Sequence, residues 1–180
     1  VPGGKGSVAK PFASVQAGIE HAGACAEVWV HPGTYVETLR FEGRDVRVVS
    51  TAGAALTVLD GGGTGSVVSF VDDESPAAGL VGFTIRGGSG TPGQAPWGDP
   101  ALTYGGGVFV RGASPILRDC VVRDNTVTGQ GGGLFLLESA ALVEGGAVEA
   151  NASTASDDAG AGVALVDATA RVHGLEIVDN

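Results

Sequence analysis

The chain reads as an all-β solenoid, a stack of coils closed at one end by a short helix. Three observations predict this. Gly105–Asn125, GGGVFVRGASPILRDCVVRDN, recurs as Gly131–Asn151, GGGLFLLESAALVEGGAVEAN, and again as Gly160–Asn180, GAGVALVDATARVHGLEIVDN. Each copy has 21 residues without an internal gap, and the starts lie 26 and 29 residues apart, so length differences fall only between copies. Such units cannot bury an apolar face alone and must stack on one another. The 32 glycines recur at fixed repeat positions and therefore mark turns. Finally, one stretch of helical spacing precedes a chain that is otherwise strand-like.

Taken in order, residues 1–10 are Gly-rich and are expected to be flexible. Pro11 can open a helix, and Phe12, Val15, Ile19 and Ala22 follow at helical spacing with Gly23 as a stop, predicting a cap helix over residues 11–23. It would shield the apolar interior and unpaired strand edges at that end of the stack. Coils are expected over residues 26–180, making 11–180 one domain. Strands are predicted at Glu27–Val30, Tyr35–Phe41, Val46–Val49 and Leu56–Leu59. Ser66–Gly88 is a diverged copy: Ser69-Phe70-Val71 matches Val108-Phe109-Val110, Ser75-Pro76 matches Ser114-Pro115, and Ala77 and Ala78 lengthen a turn.

Stacking the copies yields columns. Leu80, Leu117, Val143 and Val172 form one; Phe83, Cys120, Gly146 and Leu175 a second; Ile85, Val122, Val148 and Ile177 a third. Mixed columns (Val81, Arg118, Glu144, His173 and Arg86, Arg123, Glu149, Val178) alternate with them and are expected to face out. The column of Phe70, Phe109, Phe135 and Ala164 has apolar neighbours on both sides, so alternation alone leaves open whether it faces in or out.

Composition limits the partners. A net charge of −10 argues against nucleic acid and anionic lipid, and no apolar run is long enough for a membrane span. Cys25 and Cys120 fall on coils about 14 Å apart at a coil spacing of about 4.8 Å, beyond disulfide reach, and both are expected as buried free thiols. His21, Cys25, His31, Cys120 and His173 share no zinc or copper spacing.

The cap followed by VWVHPGTYVETLRF (Val28–Phe41), LVGFTIRGG (Leu80–Gly88) and the GGG-apolar…N copies resembles right-handed parallel β-helix proteins of the pectin-lyase-like superfamily, in particular bacterial secreted and surface members. The resemblance spans residues 11–180. It implies a right-handed parallel β-helix and a ladder of coil-end asparagines at Asn125, Asn151 and Asn180, from which Gly88 departs. The superfamily includes polysaccharide lyases and glycosidases, but Val172-His173-Gly174 stands where a Gly-His-Gly of the polygalacturonase type is expected. Arg111, Arg118 and Arg123 with Asp119 and Asp124 are read as surface ion pairs.

The insertions Ser89–Tyr104, Thr126–Gln130 and Ala152–Ala159 all follow the asparagine column and so project from one edge. Trp97, Asp99, Tyr104, Asp157 and Asp158 on them are candidate carbohydrate-binding residues, because aromatic rings stack on sugars and carboxylates accept from hydroxyls. The competing reading is that Trp97 and Tyr104 pin the long loop to the coil. Asp72, Asp73 and Glu74 are a candidate Ca²⁺ site through oxygen ligands; no other cofactor is expected. The reading that results is a non-catalytic extracellular or cell-surface module, structural or adhesin-like, binding a polysaccharide or cell-surface glycan along the loop edge. The alternative is a fragment of a polysaccharide lyase, epimerase or glycoside hydrolase. Since Asn180 ends a repeat, the chain is expected to continue or to stack on another chain there.

Overall fold

The computed structural model describes residues 4–93, 99–155 and 160–180. Three parallel sheets run the length of the molecule, and each coil contributes one strand to each in turn. The first sheet stacks Glu27–Val30, Arg47–Ser50, Gly79–Val81, Ile116–Arg118, Leu142–Glu144 and Arg171–His173. The second stacks Gly33–Val36, Thr57–Asp60, Thr84–Arg86, Val121–Arg123, Ala147–Glu149 and Glu176–Val178. The third stacks Leu39–Arg40, Val68–Phe70, Val108–Arg111, Leu134–Leu137 and Val163–Val166. The protein is thus a parallel β-helix.

Strands this short are held together by their neighbours in the stack. Leu117 pairs in register with Leu80 on one side and Val143 on the other, and Val143 with Val172. Leu80, Leu117 and Val143 are buried, as are Ile85, Val122 and Val148 of the third predicted column. Phe83, Cys120, Gly146 and Leu175 also stack: Val121 N–H donates to the Phe83 carbonyl, Ala147 N–H to that of Cys120, and Glu176 N–H to that of Gly146. Gly146 has no room for a side chain, since an added Cβ would lie 1.9 Å from the Cys120 oxygen.

Sharp corners separate the sheets, and on most coils a corner carries a residue with φ between 47° and 77°. Between the first and second sheets these are Gly82, Asp119, Gly145 and Gly174; between the second and third, Gly87, Asp124, Ala150 and Asp179. Glu42, Asp73, Gly112, Glu138 and Asp167 serve where the third sheet returns to the first. Gly and Asp suit the left-handed region, and Ala does not.

The asparagine ladder follows the second corner. Asn125 Nδ2 donates to Asn151 Oδ1 at 3.0 Å, and Asn151 Nδ2 to Asn180 Oδ1 at 2.9 Å. The same oxygens accept the backbone N–H groups of Asn125 and Asn151, while the Nδ2 groups also donate to coil carbonyls such as those of Ile85 and Val122. Gly88 closes the series by donating its N–H to Asn125 Oδ1 at 2.9 Å. A Cβ there would lie 1.9 Å from the Gly106 oxygen, which is why the ladder departs from Asn at this coil.

Three expectations need correction. The cap helix is Val15–His21, shorter than residues 11–23, because Ser14 is its N-cap and Glu37 of the first coil accepts the N–H groups of Val15 and Gln16 at 2.8 and 3.0 Å. Ahead of that helix, and without bearing on the expected flexibility, Lys5 N–H donates to the Lys10 carbonyl and Lys10 N–H to that of Ser7, closing a turn. Cys25 is exposed, in a left-handed turn before the first strand, while Cys120 is buried as expected. Lastly, Val110 pairs with Phe70, and Phe109 with Ser69. The diverged copy carries one extra residue between this strand and the Asp73 corner, so gapless matching slips the strand by one position. A slip of one flips every side chain. Phe70 therefore stacks on Phe41 in the core, ring centroids 4.2 Å apart, whereas Phe109 and Phe135 point outward.

Two adjacent positions should respond in opposite directions. Ala150→Gly relieves a left-handed alanine whose side chain is exposed, and should stabilise by about 0.5–1 kcal/mol. Asn151→Ala strips partners from buried groups on three coils and should cost about 2–4 kcal/mol. Urea unfolding of the two variants measures both; a destabilised Ala150→Gly or a neutral Asn151→Ala would contradict the corner and ladder description.

Candidate functional site

The insertions leave the stack together at the corner after the second sheet, as their place behind the asparagines predicts. There they build a small structure of their own. Thr91–Pro92 pairs antiparallel with Thr103–Tyr104, and Thr126–Val127 pairs parallel with Ala152–Ser153. Thr103 and Thr128 exchange bonds, each backbone N–H donating to the other hydroxyl at 2.9 and 3.0 Å. Ser66 and Thr91 hydroxyls bond at 2.7 Å, which ties the long insertion to the coil before it.

The outward phenylalanines explain where that insertion goes. Phe109 and Phe135 stack with centroids 5.7 Å apart on the outer face of the third sheet, and Tyr104 tilts onto Phe135 at 5.1 Å. With Leu137 and Val166 these rings form a second buried cluster, against which Leu102 and Val71 pack. Tyr104 is only 3% exposed, so it pins the loop to the sheet and presents no free ring face to a sugar. The outward phenylalanines are likewise covered.

Asp99 is exposed and turns the loop by accepting the Ala101 N–H at 2.8 Å. Trp97, Asp157 and Asp158 lie outside the described residues. The Asp72–Glu74 candidate does not assemble. Glu74 is buried and its two oxygens accept the N–H groups of Gly43 (3.0 Å) and Asp72 (3.1 Å), closing turns of successive coils. Among the described residues, no group of three or more His, Cys, Asp or Glu side chains is placed to hold a metal ion.

What the edge does form is a cleft of about 520 Å³ that sequence reasoning did not find. It is lined by Gly63, Gly87 and Gly88, by Ser89, Thr103, Thr126, Thr128 and Thr154, and by Asp124 and Val127. Thr126, Thr128 and Thr154 are exposed, and Val127 is buried beneath them. Their signal in the sequence was the recurring Thr after the asparagine column, which carries little weight without the pairing of the loops. Beside the cleft, Arg86 Nε bonds Asp60 Oδ2 at 2.9 Å, and Arg123 pairs with Asp124. Asp60 is held below the usual carboxylate range by the Gly62 N–H and then by Arg86, against an opposing effect of burial. Arg118 pairs with Glu144 across the first sheet, at 2.8 Å, in place of Asp119.

A second cleft, of about 470 Å³, lies between the cap helix, the lead turn and the first coil, lined by Phe12, Val28, Trp29, His31 and Tyr35 among others. Trp29 is 64% exposed there. Tyr35 donates its hydroxyl to the His31 carbonyl at 2.9 Å, and its phenol is pushed up by burial and then by Glu37.

No family model matches the chain, and no curated protein does. Among solved structures the fold is shared with pectin methylesterases. The chain resembles pectin methylesterase PemA from Erwinia chrysanthemi with a TM-score of 0.52 at 13% identity, over 80% of this chain and 53% of that one. It resembles two pectin methylesterase structures in complex with hexasaccharides, one of them a point mutant, with TM-scores of 0.50 and 0.51 at 11% and 13% identity. Each covers 95% of this chain and 64% of the other. These likenesses show that the chain shares the right-handed parallel β-helix fold of those proteins. The chain spans between 53% and 64% of the length of these enzymes.

The two thiols should behave differently. Burial pushes Cys120 up to about 11, partly countered by the N–H groups of Phe83 and Gly82. At pH 8 a thiol reagent should modify Cys25 alone in the folded protein and both residues in urea; two fast thiols would contradict the buried column. Because the folded thiol holds its proton more tightly than the unfolded one, this contribution to stability is complete below about pH 9 and lost as pH rises towards about 11. Comparison with Cys120→Ala across that range isolates it.

Proposed function

We propose that this chain is a non-catalytic extracellular or cell-surface β-helix module that binds carbohydrate along its loop edge. One observation carries the reading: the three insertions meet at one edge and leave a cleft walled by hydroxyls, glycine backbone and one carboxylate. Polar groups that both donate and accept, set around a concave surface, suit a polyhydroxylated ligand. A rigid stack of coils presents that edge without having to close around its ligand.

A second reading makes the chain a segment of a polysaccharide lyase, epimerase or glycoside hydrolase whose catalytic coils lie outside these residues. It draws on the enzymes that share the fold and on the share of their length that the chain spans. Release of reducing sugar or unsaturated uronate by a longer chain carrying further coils, with none released by this segment alone, would favour it.

An array of oligosaccharides tests the first reading directly. The parent chain should bind at least one glycan, and Thr126→Val with Thr154→Val should weaken it about fivefold to tenfold, as expected for lost hydroxyl contacts. Arg171→Ala, on the first sheet away from the loops, should leave binding unchanged. A parent that binds nothing, or binding indifferent to both threonines, would sink the proposal.

A further inference from the structure

We propose that the loop edge selects uncharged saccharides and turns acidic ones away, an inference that rests on the carbohydrate-binding reading of the same edge. Its first support is the charge of the segments that build the edge. Among the described residues of these segments, 61–67, 89–93, 99–104, 126–130 and 152–155, there is no Lys or Arg, and Asp99 is exposed. The second is the cleft wall, where the charged side chain among the described residues is Asp124. The third concerns the two arginines nearest in sequence to that wall. Arg86 and Arg123 precede Gly87 and Asp124 directly, and each already has a carboxylate partner, Asp60 and Asp124 respectively. A uronate arriving here would meet ion pairs that are already made and an excess of negative charge, within a chain of net −10. An uncharged sugar meets no such cost. Its hydroxyls can donate to Asp124 and to glycine carbonyls, and can exchange bonds with the exposed Thr126, Thr128 and Thr154.

Asp124 is then the residue that sets the preference. Its carboxylate neutralises Arg123, so the wall offers an acidic sugar no unpaired cation there. Asp124→Asn keeps a side chain that tolerates the left-handed corner, while it frees Arg123 for an anionic ligand.

Calorimetric titration of the full chain with cellohexaose and mannohexaose, against hexagalacturonate, provides the test. At low ionic strength the acidic hexamer should bind at least about tenfold more weakly than the better neutral one, and the gap should narrow as salt rises to about 0.15 M. Asp124→Asn should narrow the gap at low salt, with its fold confirmed by unchanged circular dichroism. Equal or tighter binding of hexagalacturonate by the parent would overturn the inference and leave carbohydrate binding standing. Binding of none of the three, repeated across the wider array, would remove the carbohydrate reading and this inference with it.

Discussion

Each coil of this protein is satisfied only by the coils on either side of it. No strand in the three sheets exceeds four residues, so no coil has a stable existence alone. The N–H and C=O groups of one strand are taken up by strands one turn earlier and one turn later, and in-register pairing then obliges side chains to repeat as columns. Leu80, Leu117 and Val143 are buried because they sit over one another. The ladder Gly88, Asn125, Asn151, Asn180 obeys the same constraint, solved with side-chain amides where the backbone turns too sharply to pair. The columns continue into the last strands described, where Leu165, Val172 and Ile177 occupy the inward registers and are exposed.

The insertions sit where this constraint relaxes. Between the second and third sheets the chain can add residues without disturbing the stack, and it does so on successive coils. Once there, the additions obey the same rule in miniature, Thr126–Val127 pairing with Ala152–Ser153 just as the coils beneath them pair. The longest insertion spends its aromatic Tyr104 on covering Phe109 and Phe135, so the outer face of the third sheet becomes a second core. The open concave surface that remains lies beside the ladder, walled by short polar side chains.

Much of the fold was legible because repetition lets one copy check another. The columns through Leu117, Cys120 and Val122, and the ladder through Asn125, follow from aligning 21-residue copies that have no gaps. Legibility failed where copies diverged. Phe70 lies in the core because a single extra residue before the Asp73 corner shifts its strand, and a gapless alignment has no means of placing that residue. Whether Phe109 faced in or out was undecidable by alternation, since Val108 and Val110 are apolar too; the answer depends on a cover supplied from Leu102 and Tyr104. Glu74 was read as a metal ligand by its residue type, but its buried carboxylate closes turns, a role that depends on Gly43 one coil away. The hydroxyl cleft was invisible for the same reason, being made by segments from successive coils that meet only in the fold.

Through-space methyl and aromatic contacts measured by NMR in solution test the stacking most directly. The account predicts an unbroken series from Leu80 to Leu117 to Val143 to Val172, with Phe70 joined to Phe41 and Val110, and Phe109 joined to Phe135 but absent from the Leu117 series. A break between Leu117 and Val143, or Phe109 within the inner series, would contradict it.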